Sequence, residues 1–126
     1  MDIRQLETDV LLVRLPGEPQ LRPELALVRQ NAAQMKGNHV IVDFSHVEII
    51  TSPSIGELMR LRQAVSTWGG RLIFYSVRLV TKCILRTVGL ELCFEFAEDR
   101  SKALDALHEF REAPADASRV GPGDLS

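Results

Sequence analysis

The stretch HVIVDF, residues 39–44, limits the folds open to this chain more than any other. Val40, Ile41 and Val42 run on without a polar break, and Asp43 stands at the exit. A strand with one face in water alternates apolar and polar residues. An unbroken apolar run instead belongs to a strand covered on both faces, the mark of a parallel sheet with helices on each side. RLIFYSV, residues 71–77, is a second run of this kind. Between the two lies SPSIGELMRLRQAVSTWGG, where Ile55, Leu58, Met59, Leu61 and Val65 form a broad apolar helix face and Gly69-Gly70 ends it. Strand, helix and strand in this order make a right-handed crossover unit.

The remaining segments fit the same scheme. DVLLVRLPGEP reads as a strand stopped by Pro16-Gly17, and DIRQL before it as a partner strand joined through Glu7-Thr8-Asp9. PELALVRQNAAQMKG reads as a helix with Pro23 in its first turn, Glu24 at its positive end and Gly37 as its stop. Its buried stripe is Leu25, Val28, Ala32 and Met35. RLVTKCILRTVGL is a helix with Gly89 just past its end, LCFEFA a short last strand, and DRSKALDALHEF a last helix capped by Asp99 or Ser101. From residue 111, REAPADASRVGPGDLS has no apolar period and reads as a disordered tail. The sequence therefore predicts one α/β domain over residues 1–110, an open mixed sheet of four to five strands with four helices, and a tail over 111–126. A length of 126 residues suits a single core.

Composition removes several function classes. A net charge of −2 argues against a nucleic-acid binder, which shows a basic excess. The opening MDIRQLETDV is not a secretory signal, and no apolar run reaches membrane-spanning length. Cys83 and Cys93 then read as free thiols and small core residues in a reducing cytoplasm. With His39, His46 and His108 they offer no zinc spacing, so no metal and no cofactor are expected.

Catalysis is not expected either. SPSIG resembles a nucleophile elbow around Ser54, but that turn wants glycine where Ser52 stands. Asp105 and His108, one helical turn apart, make a poor remainder of a triad. No glycine-rich phosphate cradle is present. Asp43 lacks an acidic companion in DFSH and reads as a turn or capping residue.

Two patterns remain for binding. Arg78, Lys82 and Arg86 fall at i, i+4 and i+8, flanked by Leu79, Ile84 and Leu85. They form either a solvated cationic face suited to a helix C-terminus or a docking ridge. In VEIITSPSIGEL, Ser52 before Pro53 reads as an N-cap, while Ser54 with Glu57 reads as a capping box two residues later. Both registers place a hydroxyl at the positive end of a helix, where an anion is favoured.

Taken in order, these features resemble the STAS domain, the family of bacterial anti-sigma factor antagonists that also occurs as a cytoplasmic module of sulphate transporters. The residues that carry the resemblance are Asp43-Phe44-Ser45, Val47, Thr51 to Ser54, Gly69-Gly70, Leu72 to Tyr75 and Val88-Gly89-Leu90, within about residues 9–110. The resemblance implies a cytoplasmic regulatory binding module whose partner is an anti-sigma factor that doubles as a serine kinase. It also implies phosphorylation at the start of the second helix that switches binding off. The acceptor position falls on Ser52, with Thr51 and Ser54 as alternatives. The partner-binding surface would comprise Asp43, Ser45, Thr51, Ser52, Pro53, Ser54, Arg78, Lys82 and Arg86, and self-association into a homodimer stays open. Here Thr51 stands where the family has Asp before the acceptor, and Pro53 where it has a small residue. A non-switching STAS adaptor, a scaffold subunit of a signalling or lipid-transport assembly, is the alternative.

Overall fold

The computed structural model describes residues 2–31 and 35–112. Strand β1 (Asp2–Glu7) and strand β2 (Val10–Arg14) form an antiparallel hairpin, as the turn at Thr8-Asp9 predicts. Helix α1 (Leu21–Gln30), strand β3 (His39–Asp43), helix α2 (Ser52–Thr67), strand β4 (Leu72–Tyr75) and helix α3 (Leu79–Thr87) follow. A short 3-10 turn (Glu91–Cys93) leads into strand β5 (Glu95–Ala97) and helix α4 (Arg100–Glu112). The strands lie in chain order, β1-β2-β3-β4-β5, and β2 to β5 run parallel. The result is the expected mixed sheet.

Sequential order explains the layers. Right-handed crossovers that always step in one direction place every crossover helix on the same face. Leu11 and Val13 of β2, Val40 and Val42 of β3, and Leu72 and Phe74 of β4 accordingly pack in one cluster with Leu25, Leu58, Leu61 and Leu85 of the three helices. Phe74 stands at its centre, with ring centroids 4.7 Å from Phe44 and 4.8 Å from Phe94. The opposite face, with Val10, Leu12, Ile41, Ile73 and Tyr75, is covered by Ala103 and Leu107 of α4. Each fully buried side chain of Leu or Phe size contributes about 1.5–3 kcal/mol. These central strands are thus sealed on both sides, which is why β3 could read VIV without a polar residue.

Several helix boundaries differ from the sequence expectation. α1 begins at Leu21, two residues before Pro23, and ends at Gln30. It stops there because the Asn31 side chain turns back onto the Leu27 carbonyl at 2.8 Å. Gly37, with φ 85°, lies in the later turn and not at the helix end, while Met35 is buried beyond the helix and Ala32 falls outside the described residues. Gly69 and Gly89 do close α2 and α3, both in the left-handed conformation. α4 is capped by Asp99, whose Oδ1 accepts the Lys102 amide at 2.9 Å, and runs on to Glu112. Residues 113–126, most of the expected tail, lie outside the described residues.

Candidate functional site

Parallel strands in chain order bring their C-terminal ends, and the loops that leave them, to one edge. The loops after β2, β3 and β4 meet there, carrying Glu18, residues 44–51 and Arg78.

Asp43 ends β3 and is only 6% exposed. Its Oδ1 accepts the Ser45 amide at 2.8 Å and its Oδ2 accepts the Arg14 Nε–H at 3.2 Å. Burial pushes its pKa up, but the Ser45 amide and hydroxyl and the Arg14 guanidinium outweigh burial and hold the carboxyl below its ordinary value. Asp43 is therefore the turn residue its sequence context predicts. It shapes the start of the loop from beneath. Beside it in register stands Tyr75, whose hydroxyl accepts from Arg100 at 3.3 Å and whose pKa is raised, first by burial. Ser45 is exposed, and its carbonyl accepts from Arg78 at 3.4 Å, which ties the loop after β3 to the head of α3.

The start of α2 corrects both sequence registers. The N-cap is Thr51 (φ −101°, ψ 164°), Ser52 is the first helical residue and Pro53 the second. Ser54 and Glu57 form no capping box. Glu57, 5% exposed, instead accepts from Arg29 of α1 at 3.0 Å and from Arg60 at 3.4 Å, joining two helices. Pairing of a buried charge with a neighbouring helix outweighs a local cap here. The positive end of α2 is met by a carboxylate from another loop. Glu18 Oε2 accepts the Thr51 amide at 3.1 Å, the Thr51 hydroxyl at 3.0 Å and the Ser54 hydroxyl at 2.6 Å. Negative charge there is favoured by the helix dipole. Ser54 is fully buried beneath this contact. Ser52 and Pro53 are exposed, and the Ser52 hydroxyl has no hydrogen-bond partner among the described residues.

Sequence reasoning missed Glu18. No local signal marks it, because it reaches its partners across 33 and 36 residues, through the pairing of β2 with β3. The predicted cationic ridge is also altered. Arg78 is the N-cap residue of α3, Lys82 is half-buried with its ammonium 5.5 Å from the centre of the Phe96 ring, and Arg86 is held by both carboxylate oxygens of Glu91 at 3.2 Å. Glu91 neutralises Arg86 and holds its pKa up. Exposed apolar groups also occur on α3 and in the segments near it. Leu79 is 74% exposed and Leu92 97%, with Ile49, Val80 and Val88 exposed as well. Cys83, expected in the core, is exposed on the same helix, whereas Cys93 is half-buried; both are free thiols.

The hydrolase pattern is not assembled. The Ser54 hydroxyl donates its hydrogen bond to Glu18, and the His108 ring bonds Glu7 of β1 at 2.8 Å. Among the described residues no cluster of His, Cys, Asp and Glu could hold a metal ion, and no helix is long and apolar enough to cross a membrane.

No protein-family model matches the sequence, and no curated protein does. Solved structures do match. RsbS of Moorella thermoacetica, in a serine-to-glutamate variant, superposes with a TM-score of 0.73 at 17% identity, over 87% of this chain and 96% of that one. An anti-sigma-factor antagonist (STAS) domain protein from Planctomyces limnophilus gives 0.67 at 21%, over 86% and 99%. The anti-sigma factor antagonist SpoIIAA gives 0.69 at 15%, over 85% and 95%, in its unphosphorylated form. The phosphorylated form of the Bacillus protein gives 0.57 at 14%, over 84% and 97%. These matches cover 84–87% of this chain and 95–99% of each solved chain. The chain has the fold of the STAS-domain anti-sigma factor antagonists.

Proposed function

We propose that this chain is a regulatory binding module of the anti-sigma factor antagonist type, acting in the cytoplasm on a protein that is both anti-sigma factor and serine kinase. The observation that carries the proposal is the state of the three hydroxyls at the head of α2. Thr51 and Ser54 are committed to Glu18, while Ser52 is exposed and unbonded on the first helical turn. Ser52 is thus the acceptor that a kinase reaches without opening the fold. Its oxygen attacks the γ-phosphorus of the ATP held by the kinase, the bond to the ADP oxygen breaks, and the hydroxyl proton passes to a base of the kinase.

Ser45, Thr51, Ser52, Pro53 and Arg78 form the exposed part of the contact surface, with Asp43 and Ser54 shaping it from below. Exposed Leu79 and Val80, and Lys82 along α3, extend it; Arg86 serves through its pair with Glu91. A contact centred on apolar groups excludes water, so nearly two negative charges placed at its rim abolish docking. The existence of SpoIIAA in unphosphorylated and phosphorylated forms supports the reading. Thr51 and Pro53, in place of the residues the family resemblance calls for, favour the second reading, a non-switching adaptor that docks through the same apolar surface.

The test is capture of the partner on the purified chain in the presence and absence of ATP, with mass spectrometry of the 51–54 peptide. Phosphate on Ser52 and release of the partner are expected, and Ser52→Ala should retain the partner. Phosphate on Thr51 or Ser54 would move the acceptor. Equal capture by Ser52→Ala and Ser52→Asp would establish the adaptor.

A further inference from the structure

Glu18 lies outside the acceptor loop yet holds it. Its Oε2 gathers the Thr51 amide, the Thr51 hydroxyl and the Ser54 hydroxyl, three donors on one oxygen. The two loops it joins are in close contact: a Cβ on Gly17 would stand 3.0 Å from the His46 carbonyl oxygen, so only a glycine lets the chain pass there without displacing its neighbour. Beside this contact lies a cleft of about 220 Å³ lined by Gly17, Glu18, His46, Glu48 and Ile49, which leaves the Glu18 side chain room to move.

We infer that Glu18 is a charge-sensitive latch between the loop after β2 and the acceptor loop, closed while Ser52 is a free hydroxyl and opened when Ser52 carries phosphate. The inference rests on Ser52 being the acceptor and adds how modification reshapes the surface. Ser52 adjoins Thr51, the residue Glu18 grips twice. A phosphoserine brings nearly two negative charges next to a carboxylate whose donors among the described residues, the Thr51 amide and the Thr51 and Ser54 hydroxyls, are neutral. Like charges on adjacent groups repel. Covalent phosphate cannot leave, so the carboxylate does. Its release frees the Thr51 and Ser54 hydroxyls and loosens residues 16–20, a change that reaches beyond the modified residue. Glu18 is thus a positioning residue, and neutralising it should uncouple the loops from phosphate.

The test installs phosphoserine at position 52 of the full chain during translation, so no kinase is needed, and follows amide hydrogen exchange by NMR. The Thr51 amide, which donates to Glu18, should exchange roughly tenfold faster with phosphate than without it, while Val40 to Val42 in β3 stay unchanged. In Glu18→Gln, which keeps the acceptor oxygen but not the charge, phosphate should change Thr51 exchange by less than about threefold. Unchanged exchange at Thr51 in the phosphorylated wild type would overturn the latch, as would equal acceleration in Glu18→Gln. Capture of the partner by the same samples separates this from the switch itself. Partner release with the latch still closed refutes the latch and keeps the switch; an opened latch with the partner retained does the reverse.

Discussion

Two serines, two positions apart, should answer alanine substitution differently. Ser54 is fully buried, and its hydroxyl donates to Glu18 at 2.6 Å. A hydrogen bond to an ionised acceptor contributes about 1.5–3 kcal/mol. Glu18 is half-exposed and keeps two donors from Thr51 after the change, so water and the remaining partners bring the loss to the low end, about 1.5 kcal/mol. Ser52 has neither burial nor a partner among the described residues, and alanine suits a first helical position, so Ser52→Ala should stay within about 0.5 kcal/mol of wild type. With an unfolding entropy of about 2.1 cal/mol/K per residue over roughly 110 ordered residues, 1.5 kcal/mol corresponds to about 6 °C in Tm. Thermal melts and urea titrations of the two variants beside wild type measure this, with an unchanged urea slope showing that the folded state is intact. If Ser52→Ala is the destabilised variant, the N-cap is Ser52 and the register of α2 described above is wrong. A wild-type midpoint for Ser54→Ala would mean that the Glu18 contact does not hold in solution.

Ser52→Asp should remain folded, since the helix dipole offsets repulsion from Glu18, while capture of the partner falls at least about tenfold; loss of both fold and binding would remove the distinction. The carboxyl of Asp43 has a folded pKa below its ordinary 3.8, so it contributes stability above that pH and loses it as pH falls through the lower folded value. The stability gap between wild type and Asp43→Asn should therefore be full at pH 6 and narrow below about pH 4 in parallel urea titrations; a constant gap would show that charge is not its source. Leu79→Asp, at a residue 74% exposed, should leave the melting temperature within about 2 °C and weaken partner capture at least about tenfold.

What could be read from the sequence was what local pattern controls. β3 and β4 were legible because burial on both faces removes every polar residue from their centres, and α2 because its apolar period is strong. The end of α1 was not, because an Asn31 side chain competing for the Leu27 carbonyl overrides an apolar spacing that continues to Met35. The exposure of Cys83 escaped too, since α3 turns Thr81 and Leu85 fully inward, packs Ile84 partly against the core and leaves Leu79, Val80 and Cys83 exposed. At the site, Ser52 stood out by type and position. Its register was misplaced by one residue, because a carboxylate distant in the chain does for the helix end what a local cap would otherwise do. No reading confined to neighbouring residues finds Glu18.

The order of the sheet also bears on how the protein is made. Each parallel pairing joins a strand to the next one synthesised, as in Val10 with His39, Val40 with Leu72 and Ile73 with Glu95. The sheet can therefore grow one strand at a time as the ribosome releases the chain, without waiting for distant partners. Only the second face must wait. Val10, Leu12, Ile41 and Ile73 stay bare until α4, the last described helix, lays Ala103 and Leu107 over them. A message cut short before residue 100 would thus yield a nascent chain with a paired sheet and one uncovered apolar side, a product for chaperones and proteases to clear.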